Sequence, residues 1–209
     1  VVPDYARLWV RVRDPKRDVM LPTFERVKAM AEGAAIMANV DYKYSLISGI
    51  YETLVNREGG KIMQNNLELL GPITYTEEEE AYGKAIQEAT GKPQVGMDGE
   101  VHPLKETEKL PGGGSTDVGD VSWNVPNINL GVTVAPKDTP WHSWAVVACG
   151  GMSIGHKGMV YASKAMGMTM LDLFEDPKLV EKVKEEYKTR KGDVKYEAMI
   201  DGPPPIPGK

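Results

Sequence analysis

Cysteine is all but missing from this chain. Cys149 is the one thiol in 209 residues, so no internal disulfide can form and the fold must be held by its core, as in a reducing compartment. Long runs of lysine or arginine are missing too. With 25 basic against 30 acidic residues and a formal net charge of -5, the chain offers no electrostatic track for a polyanion, which argues against nucleic acid as a partner. No apolar stretch reaches the roughly 18 to 20 residues of a membrane span, and no basic, apolar, cleavable signal opens the chain. The expectation is a soluble, cytoplasmic protein. An initiator methionine is also lacking: the chain begins Val1-Val2-Pro3, directly before a strand-like stretch, which hints at residues upstream.

What is present is a globular composition, 41% hydrophobic, enough for one domain or pieces of two. Residues 6–13 alternate, with Ala6, Leu8, Val10 and Val12 on one face and Arg7, Trp9, Arg11 and Arg13 on the other, which predicts a half-buried strand with a basic outer face. Pro22 is placed in the first turn of an amphipathic helix running to about Met37. Alternation resumes over 41–50, so the first fifty-odd residues read strand, helix, strand, half of a small α+β layer. Gly59-Gly60 punctuates the chain, and short helices are expected over 61–70 and from Thr76 to about Thr90. Residues 91–111 read as a long surface connection. Buried strands are expected at 127–134 and 144–149, and a long helix, covered on most sides, from about Ile154 to Phe174. Asp176-Pro177 caps a last charged helix.

The stretch from Pro111 to Trp144 carries the chemistry. Three glycines, Gly112 to Gly114, precede Ser115-Thr116-Asp117 and let backbone N–H groups approach a bound anion, although no Lys-Ser/Thr pair closes a phosphate loop. Asp117 and Asp120 share a face if a helix starts at Ser115 or Thr116; Asp117 then reads either as a site acid or as that helix's N-terminal acid. His142, in Thr139-Pro140-Trp141-His142-Ser143-Trp144, suits a metal ligand whose ring the indoles restrict and shield from water, or else a packed ring. His156 falls in the first turn of the long helix, where the dipole favours neutral imidazole; His102 reads as exposed. The run Glu77 to Glu80 invites a metal, but the expectation is a solvated first turn with its acids near the positive end of the dipole. Gly151-Met152-Ser153-Ile154-Gly155 matches a nucleophile elbow, yet the acid and histidine that should follow are in the wrong order, and Ser153 also suits a helix N-cap. Cys149 with His142 can be drawn as a thiol dyad, but a cysteine ending an apolar run is expected to be buried and inert.

Taken in order, Gly112 to Trp123, then Thr139 to Trp144, then Gly155-His156-Lys157-Gly158-Met159 resemble the C-terminal half of the co-catalytic zinc amidohydrolases and exopeptidases related to carboxypeptidase G and the aminoacylases. A subgroup handling aminobenzoyl-glutamate shares the Val1 to Ala6 and Ile47 to Tyr51 segments and the proline-rich finish. The resemblance implies an α/β catalytic domain with an inserted ferredoxin-like lid that also dimerises: residues 1–56 as the second half of the lid, 57–209 as the C-terminal part of the catalytic domain. It implies metal-dependent hydrolysis of an amide bond in an N-acyl amino acid such as aminobenzoyl-glutamate. Zinc is the implied metal, with manganese or cobalt as alternatives. His142 matches the last metal-binding histidine, and Arg13 a lid arginine that grips the substrate carboxylate, a role suited to a bidentate guanidinium. Gly113, Gly114, Asp117 and His156 match substrate-side positions.

The family's histidine-aspartate ligand pair, bridging acid and glutamate base have no counterpart in this sequence. One imidazole cannot hold a zinc pair, so the 209 residues alone are expected to bind little metal and hydrolyse nothing. The alternative expectation is a non-catalytic dimerisation or assembly piece, pairing with itself through the lid or with a partner subunit.

Overall fold

The computed structural model describes residues 3–105, 114–200 and Gly202. Among these the ordered elements are helices: α1 Arg17–Ala38, α2 Arg57–Leu70, α3 Glu77–Ala89, α4 Val118–Ser122, α5 Trp144–Gly150, α6 Ser153–Glu175 and α7 Pro177–Lys191. The stretches 6–13, 41–50 and 127–134, expected as strands, are not in β-ladders. A ladder needs a run of paired N–H and C=O groups; Gly49 N donates to Met199 O at 2.6 Å, but no ladder forms on these stretches among the described residues. The expected strand at 144–149 is a helix instead. A short apolar run does not distinguish the two by periodicity, and Ala145 and Ala148 favour the helix.

The chain divides into two compact units, one from 1–54, 108–125 and 193–209, the other from 55–107 and 126–192. In the first, α1 begins a turn earlier than expected, at the Lys16 cap, so Pro22 lies inside the helix rather than in its first turn and removes one ladder donor. The helix ends at Asn39, whose left-handed backbone (φ 54) lets Val40 N donate to Ala35 O at 3.1 Å. The centre of this unit is aromatic. Tyr51 is buried, with ring centroids 5.7 Å from Trp123 and 5.0 Å from Tyr196, and the Arg17 guanidinium lies 4.3 Å over its ring. Around it Trp123 Nε1 donates to Glu52 O (2.8 Å), Leu54 N to Ser122 Oγ (2.8 Å) and Tyr51 OH to Glu197 O (3.1 Å). Gly119 sits so close to the Tyr51 carbonyl that a side chain would collide with it.

The second unit is built around α6, which packs on α2, α5 and α7. Ile86, Ala145, Cys149 and Ile154 form its apolar centre. Asn56 caps α2 by accepting from Gly59 N (2.8 Å) and donates to Val183 O (2.8 Å), so the helix starts before the glycine pair that was expected to interrupt the chain. Gln87 is fully buried with its amide satisfied: it donates to Gly96 O (3.2 Å) and Lys137 O (3.0 Å) and accepts from Gly96 N (2.9 Å). The last helix starts as expected, with the Asp176 carboxylate accepting from Lys178 N at 2.9 Å. Ser153 is the first residue of α6 rather than its cap; Met152 holds that position.

Candidate functional site

The sequence places candidate residues in both units. In the first, Arg13, Gly114 and Asp117 are all exposed; Gly113 lies outside the described residues. Asp117 stands at the cap position of α4, but its carboxylate makes no capping bond there. Its neighbour Thr116 supplies that acceptor to Val118 N at 3.3 Å. Asp120 serves the structure instead. Its carboxylate faces Tyr51 N at 3.4 Å and bonds the Tyr196 hydroxyl, helping to raise the pKa of that phenol behind the larger effect of burial.

In the second unit, His142 sits on a loop held by its own side chains. Thr139 Oγ1 donates to Pro136 O (2.6 Å), Ser143 Oγ to Pro140 O (2.6 Å), and Gln87 grips Lys137 O from below. Asp138 and His142 both have left-handed backbones, φ 63 and 61, which non-glycine residues adopt at a cost. The imidazole is exposed, so the packed reading fails. The expected shielding fails as well: Trp141 and Trp144 are 69% and 57% exposed and cannot exclude water here. The backbone, not the indoles, fixes where the ring is presented. Asp138, Thr139 and Trp141 line one side of an open groove of about 640 Å³.

His156, also exposed, lines a second groove of about 440 Å³ with Lys157, Lys164 and Ser153. The Lys157 ammonium contacts Glu79 (2.5 Å) and Thr74 O (2.9 Å). This pair is what the sequence reading missed. Glu79 is only 7% exposed, not the solvated first-turn acid expected of the Glu77 to Glu80 run. Its side chain accepts from Thr76 N (2.7 Å) while Thr76 Oγ1 accepts from Glu79 N (3.3 Å), a reciprocal cap legible in the Thr-x-x-Glu spacing. The Lys157 hydrogen bond, then those from Thr76 and Ser153, lower the Glu79 pKa to about 2. Burial first, then the charges of Glu79, Glu80 and Asp98, raise Tyr75 to about 12.

These contacts dispose of the nucleophile alternatives. Ser153 is hydrogen-bonded to Glu79, and the element before it is α5, a helix, so the strand that an elbow requires is not there. Cys149 is fully buried and its thiol is pushed up by burial, the opposite of a reactive thiolate. His102 pairs with Asp98 at 3.0 Å on the surface, as its loop position implied.

Among the described residues no three His, Cys, Asp or Glu side chains cluster as a metal site. A pair of zinc ions therefore does not fit the donors present: His142 offers one imidazole, and a co-catalytic centre needs several ligands per metal. No described helix is long and apolar enough to cross a membrane.

The chain is similar to a p-aminobenzoyl-glutamate hydrolase subunit of Escherichia coli (strain K12), 30% identical over 216 residues, which covers 90% of this chain and 44% of that protein. It thus spans less than half the length of the relative it matches. No protein-family model matches the chain, and no solved structure does. The shared sequence makes it a distant homologue of a hydrolase subunit.

Proposed function

We propose that this chain is the C-terminal part of a cytoplasmic enzyme that hydrolyses the amide bond of an N-acyl amino acid, with p-aminobenzoyl-glutamate the first substrate to test. The observation that carries the reading is the likeness to a p-aminobenzoyl-glutamate hydrolase subunit along 90% of the chain. In this reading residues 1–56 belong to a ferredoxin-like lid through which two copies pair, and 57–209 to an α/β catalytic domain whose strands complete their ladders with polypeptide beyond these residues. The enzyme is zinc-dependent, with manganese or cobalt as alternatives, and takes its other metal ligands from that same polypeptide. Because the donors present do not amount to a metal centre, the chain's own contribution is one of presentation. His142, on its tied-down loop, offers an exposed imidazole. The substrate's carboxylate is assigned to Arg13, whose planar fork of donors matches it, and Gly113, Gly114, Asp117 and His156 are assigned to the substrate side on the resemblance alone.

The lone imidazole of His142, with no donor cluster among the described residues, favours a second reading, an assembly piece without chemistry of its own. One experiment separates the two. The 209-residue chain is grafted in place of the matched stretch of the E. coli subunit, and release of p-aminobenzoate is measured with and without a chelator. Hydrolysis that the chelator abolishes, and that His142→Ala reduces by at least about a hundredfold together with bound zinc, is the expected result. A loss of activity on His142→Ala at unchanged zinc content would remove His142 as a ligand. A folded chimera without any hydrolysis would leave the assembly reading.

A further inference from the structure

The long helix α6 is apolar on two sides. Its buried side carries Ile154 and, at close quarters, the smaller Gly155, Gly158, Ala165 and Thr169. A Cβ on Gly158 would stand 2.5 Å from Thr133 O, and one on Gly155 would stand 2.7 Å from the carbonyls of Cys149 and Gly150. The other side carries the large ones. At about 100° per residue, Met159, Val160, Met166, Met170, Leu171 and Phe174 fall within an arc of about 140°, and all six are between 48% and 80% exposed. Ser153, His156, Ser163 and Gly167 fill the remainder of the arc, and a Cβ on Gly167 would meet nothing within 4 Å. No charged residue stands in this arc; Lys157, Lys164 and Glu175 mark its border. The sequence reading expected α6 to be covered on most sides, and the described residues cover only one.

A helix that is apolar on opposite faces has the pattern of an element held between two layers. A contiguous exposed patch of this composition marks an interaction surface rather than a solvent face. Its methionines are flexible and fill irregular gaps, and its small residues at 163 and 167 let a neighbouring backbone approach. His156 lies at the N-terminal end of the same stripe. The occupant follows from length: more than half of the E. coli hydrolase subunit lies outside the match with this chain.

We propose that the outward face of α6 is the docking surface for a second layer of the same hydrolase unit, supplied by polypeptide corresponding to the part of that subunit which this chain does not match. The proposal rests on the functional reading above and identifies the surface on which the incomplete site is completed. Docking there places the second layer beside α5, which packs directly on α6 and begins two residues after His142.

Methionine oxidation tests it. The 209-residue chain and the chimera described above are exposed to hydrogen peroxide, and sulfoxide at Met159, Met166 and Met170 is followed by mass spectrometry. Oxidation in the chimera should be at least about tenfold slower than in the chain alone. Equal rates in both would overturn the proposal. Protection already present in the chain alone, and rising with its concentration, would assign the face to a second copy and overturn it as well. Should the chimera not fold, the chain itself decides: it should bind a hydrophobic-surface dye, and the double variant Met166→Lys/Met170→Lys should lose most of that signal. A chain that binds no dye would sink the idea. Protected methionines in a chimera that hydrolyses nothing would discard the functional reading and keep the docking surface.

Discussion

Two helices of almost equal length, α1 with 22 residues and α6 with 23, have opposite fates in this molecule. Both carry apolar residues at helical spacing. Yet α1 buries none of its residues, whereas α6 buries five. The neighbours of α1 touch it at its rim: Tyr44 meets Phe24 edge-on at 5.9 Å, and Lys28 lies 5.1 Å over the Tyr44 ring. The neighbours of α6 press backbone against backbone. Apolar spacing thus announces a helix and a preferred side, but whether that side is packed depends on neighbours that press onto it, as they do at Gly155 and Gly158.

The glycines of the two helices make the sharpest break in this comparison. Gly33 in α1 has nothing within 4 Å of a built Cβ, whereas at Gly158 in α6 the Cβ would meet Thr133 O and Val134 Cγ1 at 2.5 and 2.7 Å. Gly158→Ala should destabilise the second unit by about 3 kcal/mol, the cost of forcing backbone apart in a packed core. Gly33→Ala should stabilise by about 0.5 to 1 kcal/mol through helix propensity alone. Urea unfolding of both variants measures the pair. Two shifts of the same sign would mean that the contrast between the helices is false.

The second unit also holds a charge that α1 has no equivalent for. Glu79 titrates near 2 instead of its ordinary 4.5, chiefly because Lys157 hydrogen-bonds it. A carboxylate whose folded pKa is depressed contributes stability that is fully present above its unfolded pKa and is lost as pH falls toward the folded one. The window is therefore pH 4.5 down to about 2. Thermal melts of the parent chain should fall across that window, and those of Glu79→Gln should fall less steeply while starting lower at pH 6. Parallel curves for the two would show that the pair is not coupled to folding.

Much of this was legible in the sequence, and the failures have physical causes. The helix starting at Thr76, the cap at Asp176 and the span of α6 follow from local chemistry that no neighbour overrides. Pro22 misled because proline is tolerated in the first turn and also survives, at a cost, further in. Residues 144–149 misled because apolar runs are ambiguous between strand and helix. Ladders at 6–13 and 41–50 depend on a neighbour that the pattern of one strand does not specify. The order of glycine turn, Asp117, His142 and His156 could be read directly, and so could its likeness to a hydrolase. The environment of His142 could not, since exposed indoles and buried ones have the same sequence. The Glu79–Lys157 pair was missed because its partners are far apart along the chain.

The smallest expected effect bears on His142 itself. Its left-handed backbone, φ 61, carries a strain of roughly 1 kcal/mol for any residue with a Cβ, and the loop keeps it because the Thr139 and Ser143 hydroxyls tie the chain on either side. Replacing the imidazole in two ways separates backbone from ring. His142→Ala removes the ring and keeps the strain; His142→Gly removes both, so it should be the more stable of the two by about 0.5 to 1 kcal/mol after allowing for glycine's freer unfolded chain. In the chimera, the ligand role proposed for His142 predicts that both are equally deficient in hydrolysis. Buried α6 positions tolerate no such exchange, as their geometry is set by contact. If the glycine variant were instead the less stable, the left-handed turn would not be the native state of this loop, and the exposed presentation of His142 would lose its structural basis.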